Sequence, residues 1–134
     1  MTAERLFVLD ASVGAKWFLI ESGAAEAVQL LESCAISEIG IAVPTHFVHE
    51  VLSVVRREHG PLEVVPSWER LVEARLDIVP LTDDVVREAA VQCEALGCSF
   101  YDALAPAVAA LLGATLVSAD VRAHGGYPGV QLIG

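Results

Sequence analysis

Apolar residues fall in two rhythms along this chain. Short runs rich in apolar residues stand at Leu6–Leu9, Ile41–Val43, Ile78–Leu81, Thr115–Val117 and Val130–Ile133, each of strand length. Between them the spacing turns helical. His46–Arg57 sets Phe47, Val48, Val51, Leu52 and Val55 on one face, with Thr45 before it as a start signal. Ser22 precedes a helix over Gly23–Ala35, Thr82 one over Asp83–Leu96, and Ser99 one over Phe100–Leu112. Gly97 and Gly113 follow the last two as C-caps. A weaker helix is predicted over residues 61–75, after the turn Gly60-Pro61. Strands alternating with helices specify a parallel sheet covered on both faces, and continuous apolar strands suit burial on both sides. No linker or repeat interrupts residues 1–134, so one α/β domain is expected.

Composition adds three constraints. The chain is 54% hydrophobic with a mean hydropathy of +0.56, an excess that points to a homodimer interface. A membrane span is not expected. The longest uncharged run, Ala103–Ala119, holds Pro106 and Gly113 and is short of the roughly 20 apolar residues a bilayer requires. No secretory signal is visible, since Glu4 and Arg5 precede the first strand, and a cytoplasmic protein is expected. Cys34, Cys93 and Cys98 lack paired metal spacing and read as reduced thiols. The net charge is −10, from 8 basic and 18 acidic residues. That excludes broad nucleic-acid affinity resting on a basic surface.

The acids themselves carry the candidate chemistry. Asp10 ends the first strand, and Asp120 lies just past the fourth, in "TLVSAD". Ligand sites in open α/β sheets lie beyond the carboxyl ends of strands. Ser12 is placed to cap the first helix, which would leave Asp10 free for chemistry. Glu50 sits one turn into the helix begun at Thr45, and Asp102 in the first turn of the most apolar helix. Each has a structural reading: Glu50 as a solvated face, Asp102 as the acid of a capping-box variant with Ser99. Together in one cleft the carboxylates would repel, and shared Mg²⁺ or Mn²⁺ relieves that repulsion. Such ions suit phosphoryl chemistry. His46 and His49 have no evident third ligand for zinc.

The stretches "VLDASVGAKWF", Pro44 to Glu50, and "SFYDALAPAVAALLGATLVSAD", in this order and spacing, resemble the PIN domain, specifically VapC-type toxins of toxin–antitoxin pairs. The resemblance covers essentially the whole chain. It implies a three-layer α/β/α fold with a five-stranded parallel sheet of order 3-2-1-4-5. It also implies a Mg²⁺- or Mn²⁺-dependent endoribonuclease whose catalytic, metal-binding acids are Asp10, Glu50, Asp102 and Asp120. Ser118 stands where the family often has threonine, and its hydroxyl is expected to orient the last carboxylate. Two positions depart from the pattern. Val121, Arg122 and Ala123 stand where relatives often carry a further acid or asparagine. Val51-Leu52-Ser53 stands where an asparagine often follows the glutamate.

The supporting cast is thin. Lys16, the chain's sole lysine, has two readings, a phosphate contact or an ion pair with Glu21. Arg57 shares a helix face with Glu50 and has two readings, a contact with an RNA backbone or, the favoured one, stabilisation of the helix C-terminus. Trp17, Phe18 and Phe47 read as core, and any left exposed would suit a partner. The expected partners are an RNA substrate, a basic antitoxin drawn by the acidic surface, and a second copy. The competing enzyme readings are weaker. A haloacid-dehalogenase-type phosphatase needs an acid where Ser12 stands, and a receiver needs one where Thr82 follows the third strand. A PIN-fold module acting by binding alone is the remaining alternative.

Overall fold

The computed structural model describes residues 5–134, so Glu4 of the charged start lies outside the described residues. Strand β1 is Arg5–Leu9, β2 Ile39–Pro44, β3 Asp77–Val79, β4 Thr115–Ser118 and β5 Gln131–Leu132. Helices α1 (Ala11–Gly14), α2 (Ala24–Ala35), α3 (Thr45–His59), α4 (Val64–Glu73), α5 (Asp83–Leu96), α6 (Phe100–Leu112) and α7 (Val121–His124) connect them. The five strands form one sheet in the order β3-β2-β1-β4-β5, every pair parallel. β1 is central, with Phe7 beside Ile41 and Thr115, and Leu9 beside Val117.

Side chains alternate across the sheet with the period of two that a strand imposes. Phe7, Leu9, Ile41, Val43 and Val117 point to one face, where α1, α2, α3 and α4 cover them. Val8, Ala42 and Leu116 point to the other and meet α5 and α6. The result is the three-layer arrangement expected from the sequence. Burial on both sides holds for the inner strands but not for the edges. β3 and β5 are mostly exposed, since an edge strand has a neighbour on one side only. β3 also stops at Val79, short of the predicted Leu81, because Pro80 has no N–H to continue the ladder.

Helix starts differ from the sequence reading at three places. Ser22 does not cap α2: Gly23 holds that position with φ +82°, and the Ser22 hydroxyl donates to the Gly134 carbonyl at 3.1 Å. Thr45 is the first residue of α3 rather than its cap, which is Pro44. At α1 the cap is Asp10, not Ser12. Thr82 and Ser99 do cap α5 and α6, and Gly97 and Gly113 end them in the left-handed region. The weak helix at residues 61–75 is a 3₁₀ turn, Pro61–Glu63, followed by α4.

α6 is apolar nearly all round and is buried from Ala103 to Ala109, as such a helix must be. Among the described residues no single helix is long and apolar enough to cross a membrane.

α1 crosses α3 closely, and Gly14 permits it. A Cβ there would lie 2.4 Å from the Phe47 ring and 2.8 Å from Val51 Cγ2. Phe47 is fully buried and meets Trp17 edge-to-face at 5.7 Å, so its ring has nowhere to go. Trp17 is tied down in turn, donating from Nε1 to the Ala27 carbonyl at 2.8 Å. Gly14→Ala gains about 0.5–1 kcal/mol of helix propensity but incurs overpacking of about 1–3 kcal/mol. The expected outcome is a net loss of about 1–2 kcal/mol in urea unfolding, with an unchanged m-value.

Candidate active site

The site is assembled where β1 and β4 end side by side. The Asp10 N–H donates to the Val117 carbonyl at 3.0 Å, which fixes the first acid against the neighbouring strand. One carboxylate oxygen of Asp10 accepts the Ser12 N–H at 3.1 Å and caps α1. Ser12 therefore does not free Asp10 from capping, as the sequence suggested. Its hydroxyl instead accepts the Ala119 N–H at 3.0 Å, pinning α1 to the segment that carries Asp120. Asp120 mirrors Asp10: one oxygen accepts the Ala123 N–H at 3.0 Å and caps α7. In each case capping uses one carboxylate oxygen and orients the other.

Asp102 enters from α6. The Ser99 hydroxyl accepts the Asp102 N–H at 3.1 Å, the cap predicted from sequence. Glu50 enters from α3 and is half exposed, with Oε1 2.9 Å from His46 Nε2 one turn earlier. Asp10, Glu50, Asp102 and Asp120 all line one cavity of about 190 Å³, with Ser12, His46 and Tyr101 in its wall. The structure thus brings all four sequence-predicted acids to one place. Asp102 and Asp120 also border an adjoining cavity of about 210 Å³ that Arg122 lines.

Two supporting residues behave differently from expectation. Lys16 does not line the acidic cavity. Its buried ammonium donates to Glu21 at 3.1 Å and to the Ser22 carbonyl at 2.6 Å, so the ion-pair reading holds. Ser118 does not touch the Asp120 carboxylate. Its hydroxyl accepts the Asp120 backbone N–H at 3.0 Å and lies 2.7 Å from His124 Nδ1. Arg57, exposed, pairs with Glu58.

His124 is the residue the sequence reading missed. It is fully buried, and its Nε2 lies 2.6 Å from the Asp102 carbonyl. A carbonyl only accepts, so Nε2 carries the proton, and Nδ1 accepts from the Ser118 hydroxyl. The reason for this bond is in α6 itself. In an α-helix the Asp102 carbonyl pairs with the N–H of residue 106, and that residue is Pro106, which has none. His124 supplies the missing donor. The chain Asp120 N–H, Ser118 hydroxyl, His124 ring, Asp102 carbonyl therefore ties two site acids together through the buried core. A signal existed in the sequence, a proline four residues after a candidate acid, but nothing local said what would answer it.

The donor set fits a hard divalent cation in type: carboxylate oxygens, without sulfur. It is not a preformed cage. Among the described residues no three Asp, Glu, His or Cys side chains stand close enough, as placed, to share one ion. Glu50 turns to His46, and its exposed side chain is the one with freedom to swing inward. Zinc at the His46–His49 pair gains no third ligand either, since His46 faces Glu50 and His49 lines a separate apolar cavity. Cys98 stands beside the site, but burial, then Cys93 and Asp102, push its thiol up from the ordinary value. It stays protonated at neutral pH and is no thiolate nucleophile.

Comparison with known proteins bears on the fold and the family. A family model described as the PIN domain matches residues 7–124. No curated protein matches the sequence. Among solved structures the chain is similar to a toxin–antitoxin complex from Klebsiella pneumoniae, with a TM-score of 0.70, 20% identity, and 95% of each chain covered. It is similar to VapC20 of Mycobacterium tuberculosis, a Sarcin-Ricin loop cleaving toxin (TM-score 0.72, 18% identity, 92% of this chain and 98% of that one). It is also similar to VapBC2 of Rickettsia felis bound to a DNA fragment from their promoter (TM-score 0.70, 17% identity, 95% and 96% covered). At such identities the likeness is one of fold.

Proposed function

The chain belongs to the PIN domain family, and from that premise we propose that it is a metal-dependent endoribonuclease acting as the toxin of a VapBC-type toxin–antitoxin pair. The observation that carries the reading is the convergence of Asp10, Glu50, Asp102 and Asp120, from four separate segments, on one cavity. A purely structural role explains the capping oxygens of Asp10 and Asp120 but not why Asp102 and Glu50 face the same space. Asp10, Asp102 and Asp120 would hold Mg²⁺ or Mn²⁺, with Glu50 swinging in from His46. Bound there, such an ion lowers the pKa of a water and steadies the leaving oxygen of a phosphodiester. The protein's own part is positional. The Ser12 and Ala123 backbone N–H groups hold the Asp10 and Asp120 carboxylates. The Ser12 and Ser118 hydroxyls pin the backbone at Ala119 and Asp120, and Arg122 lines the adjoining cavity, where a flanking phosphate would pass.

The acidic surface and the fold likeness to toxin–antitoxin chains support a basic antitoxin as partner. Opposite charge steers association. The apolar excess supports a homodimer.

The test is cleavage of RNA by the purified chain with Mg²⁺ or Mn²⁺, with EDTA, and after co-expression with the neighbouring gene product. Cleavage that needs metal and is suppressed by the co-expressed protein is the expected result. Cleavage that persists in EDTA would defeat the metal role, and indifference to the partner would defeat the toxin role.

A thermal prediction accompanies it. Binding to the folded state alone stabilises by about 2.7 kcal/mol at a hundredfold excess over Kd, so millimolar Mg²⁺ or Mn²⁺ should raise Tm by several degrees over EDTA. An identical Tm in both conditions would remove the metal from this cavity.

A further inference from the structure

The acidic cavity shares a wall with a second one of different chemistry. That wall is the His46–Tyr101 pair, stacked with ring centroids 4.5 Å apart and planes 23° from parallel. On its far side lies a cavity of about 180 Å³ walled by Pro44, Pro80, Leu81 and Phe100, with Thr45 and His49 offering polar edges. Tyr101 is 64% exposed and Phe100 40% exposed. Two adjacent aromatics left in solvent, immediately before the site acid Asp102, are not explained by packing. The cap at Ser99 fixes the first turn of α6 and holds both rings at the mouth of the site.

We propose that the Tyr101–Phe100 cavity is a nucleobase subsite, taking the base of the nucleotide next to the phosphate that a divalent cation at the four acids would hold. The proposal rests on the nuclease reading above. A phosphodiester at the acids carries its ribose and base within one nucleotide of the shared wall. Single-stranded RNA is gripped by stacking unpaired bases on aromatic side chains and reading their edges with a few polar groups. This cavity offers both, whereas the acid cavity offers a base nothing to stack on but the shared His46–Tyr101 wall. Charge selects the occupant too. With a net charge of −10, the chain gains little from backbone attraction, so base stacking next to the acids adds affinity that the surface does not supply. His46 links the two halves, pairing with Glu50 while stacked on Tyr101.

The experiment measures binding and cleavage separately. A fluorescent single-stranded RNA oligonucleotide and the same oligomer with its bases removed are titrated by anisotropy against wild type, Tyr101→Ala, Phe100→Ala and Tyr101→Phe. The titrations are done in Ca²⁺, and cleavage of the intact RNA is then followed in Mg²⁺. Stacking is worth on the order of a tenfold change per base. Wild type should prefer the base-bearing oligomer by about that factor. Tyr101→Ala should lose the preference, Phe100→Ala should weaken it, and Tyr101→Phe, which keeps the ring, should retain it. Affinity for the abasic oligomer should not change.

Equal affinity of wild type for the two oligomers overturns the proposal, and so does a loss in Tyr101→Ala that is equal for both. A change of molar mass by light scattering in Tyr101→Ala would assign the surface to a second copy instead. Cleavage without base preference removes the subsite and leaves the nuclease reading standing. Base preference without cleavage removes the nuclease reading and keeps a nucleobase site.

Discussion

Asp10→Asn, Asp102→Asn and Asp120→Asn should each lower RNA cleavage by at least about 100-fold while the chain stays folded. Even groups that only orient a metal ligand change activity by about 10–100-fold when removed, so loss of a ligand charge should do no less. Asparagine is close in shape and retains an oxygen able to accept the Ser12 or Ala123 N–H. The capping bonds at Asp10 and Asp120 therefore survive, and any stability cost should stay near or below about 1 kcal/mol. Asp102 is the informative position. Its backbone N–H is capped by Ser99 whatever its side chain is. If its carboxylate served only the first turn of α6, as a capping box would have it, Asp102→Asn would cleave RNA at close to the wild-type rate. Glu50→Gln should fall less far, since Glu50 is half exposed and turned to His46. Circular dichroism and kcat on one RNA substrate decide among these outcomes.

His124→Ala should destabilise the fold by about 2–5 kcal/mol. The substitution removes a fully buried ring and leaves a void, and it orphans two polar groups at once. The Asp102 carbonyl loses its donor and the Ser118 hydroxyl its acceptor, at about 1–3 kcal/mol for a buried unsatisfied group. A domain of ordinary stability, about 5–15 kcal/mol, would still fold in the cold and melt early. The cause can be isolated with Pro106→Ala. That change restores an N–H one turn beyond Asp102, so the carbonyl regains a partner inside α6 itself. In a double-mutant cycle, Pro106→Ala should relieve about 1 kcal/mol of the His124→Ala loss beyond its own effect. Strict additivity would show that the His124 cost is void alone and that the ring does not answer the proline.

The sequence by itself determined the layers, the inner strands and the acids. Phe7–Leu9 and Leu116–Val117, within two of the apolar runs, are buried, and their composition reports that environment directly. The helical periods, the Thr82 and Ser99 caps and the terminal glycines are local physics, and they appear where they were read. That four carboxylates sit at strand ends and in first or second turns was legible too, because each position is defined by its own segment.

What only the tertiary structure decided is how distant segments answer one another. Asp10 and Asp120 each give one oxygen to a helix cap, while the Ser12 hydroxyl expected at that task reaches across to Ala119. Lys16 is drawn to Glu21 and the Ser22 carbonyl, a choice between two partners that spacing left open. The edges β3 and β5 are exposed because strand order, not strand composition, decides who has two neighbours. Pro106 announced a broken hydrogen bond, but its repair came from His124, 18 residues away on a short helix that only the folded sheet brings alongside. A local pattern records the environment a residue needs. Which other residue supplies it depends on long-range contacts whose cost and reward are settled by the whole chain at once.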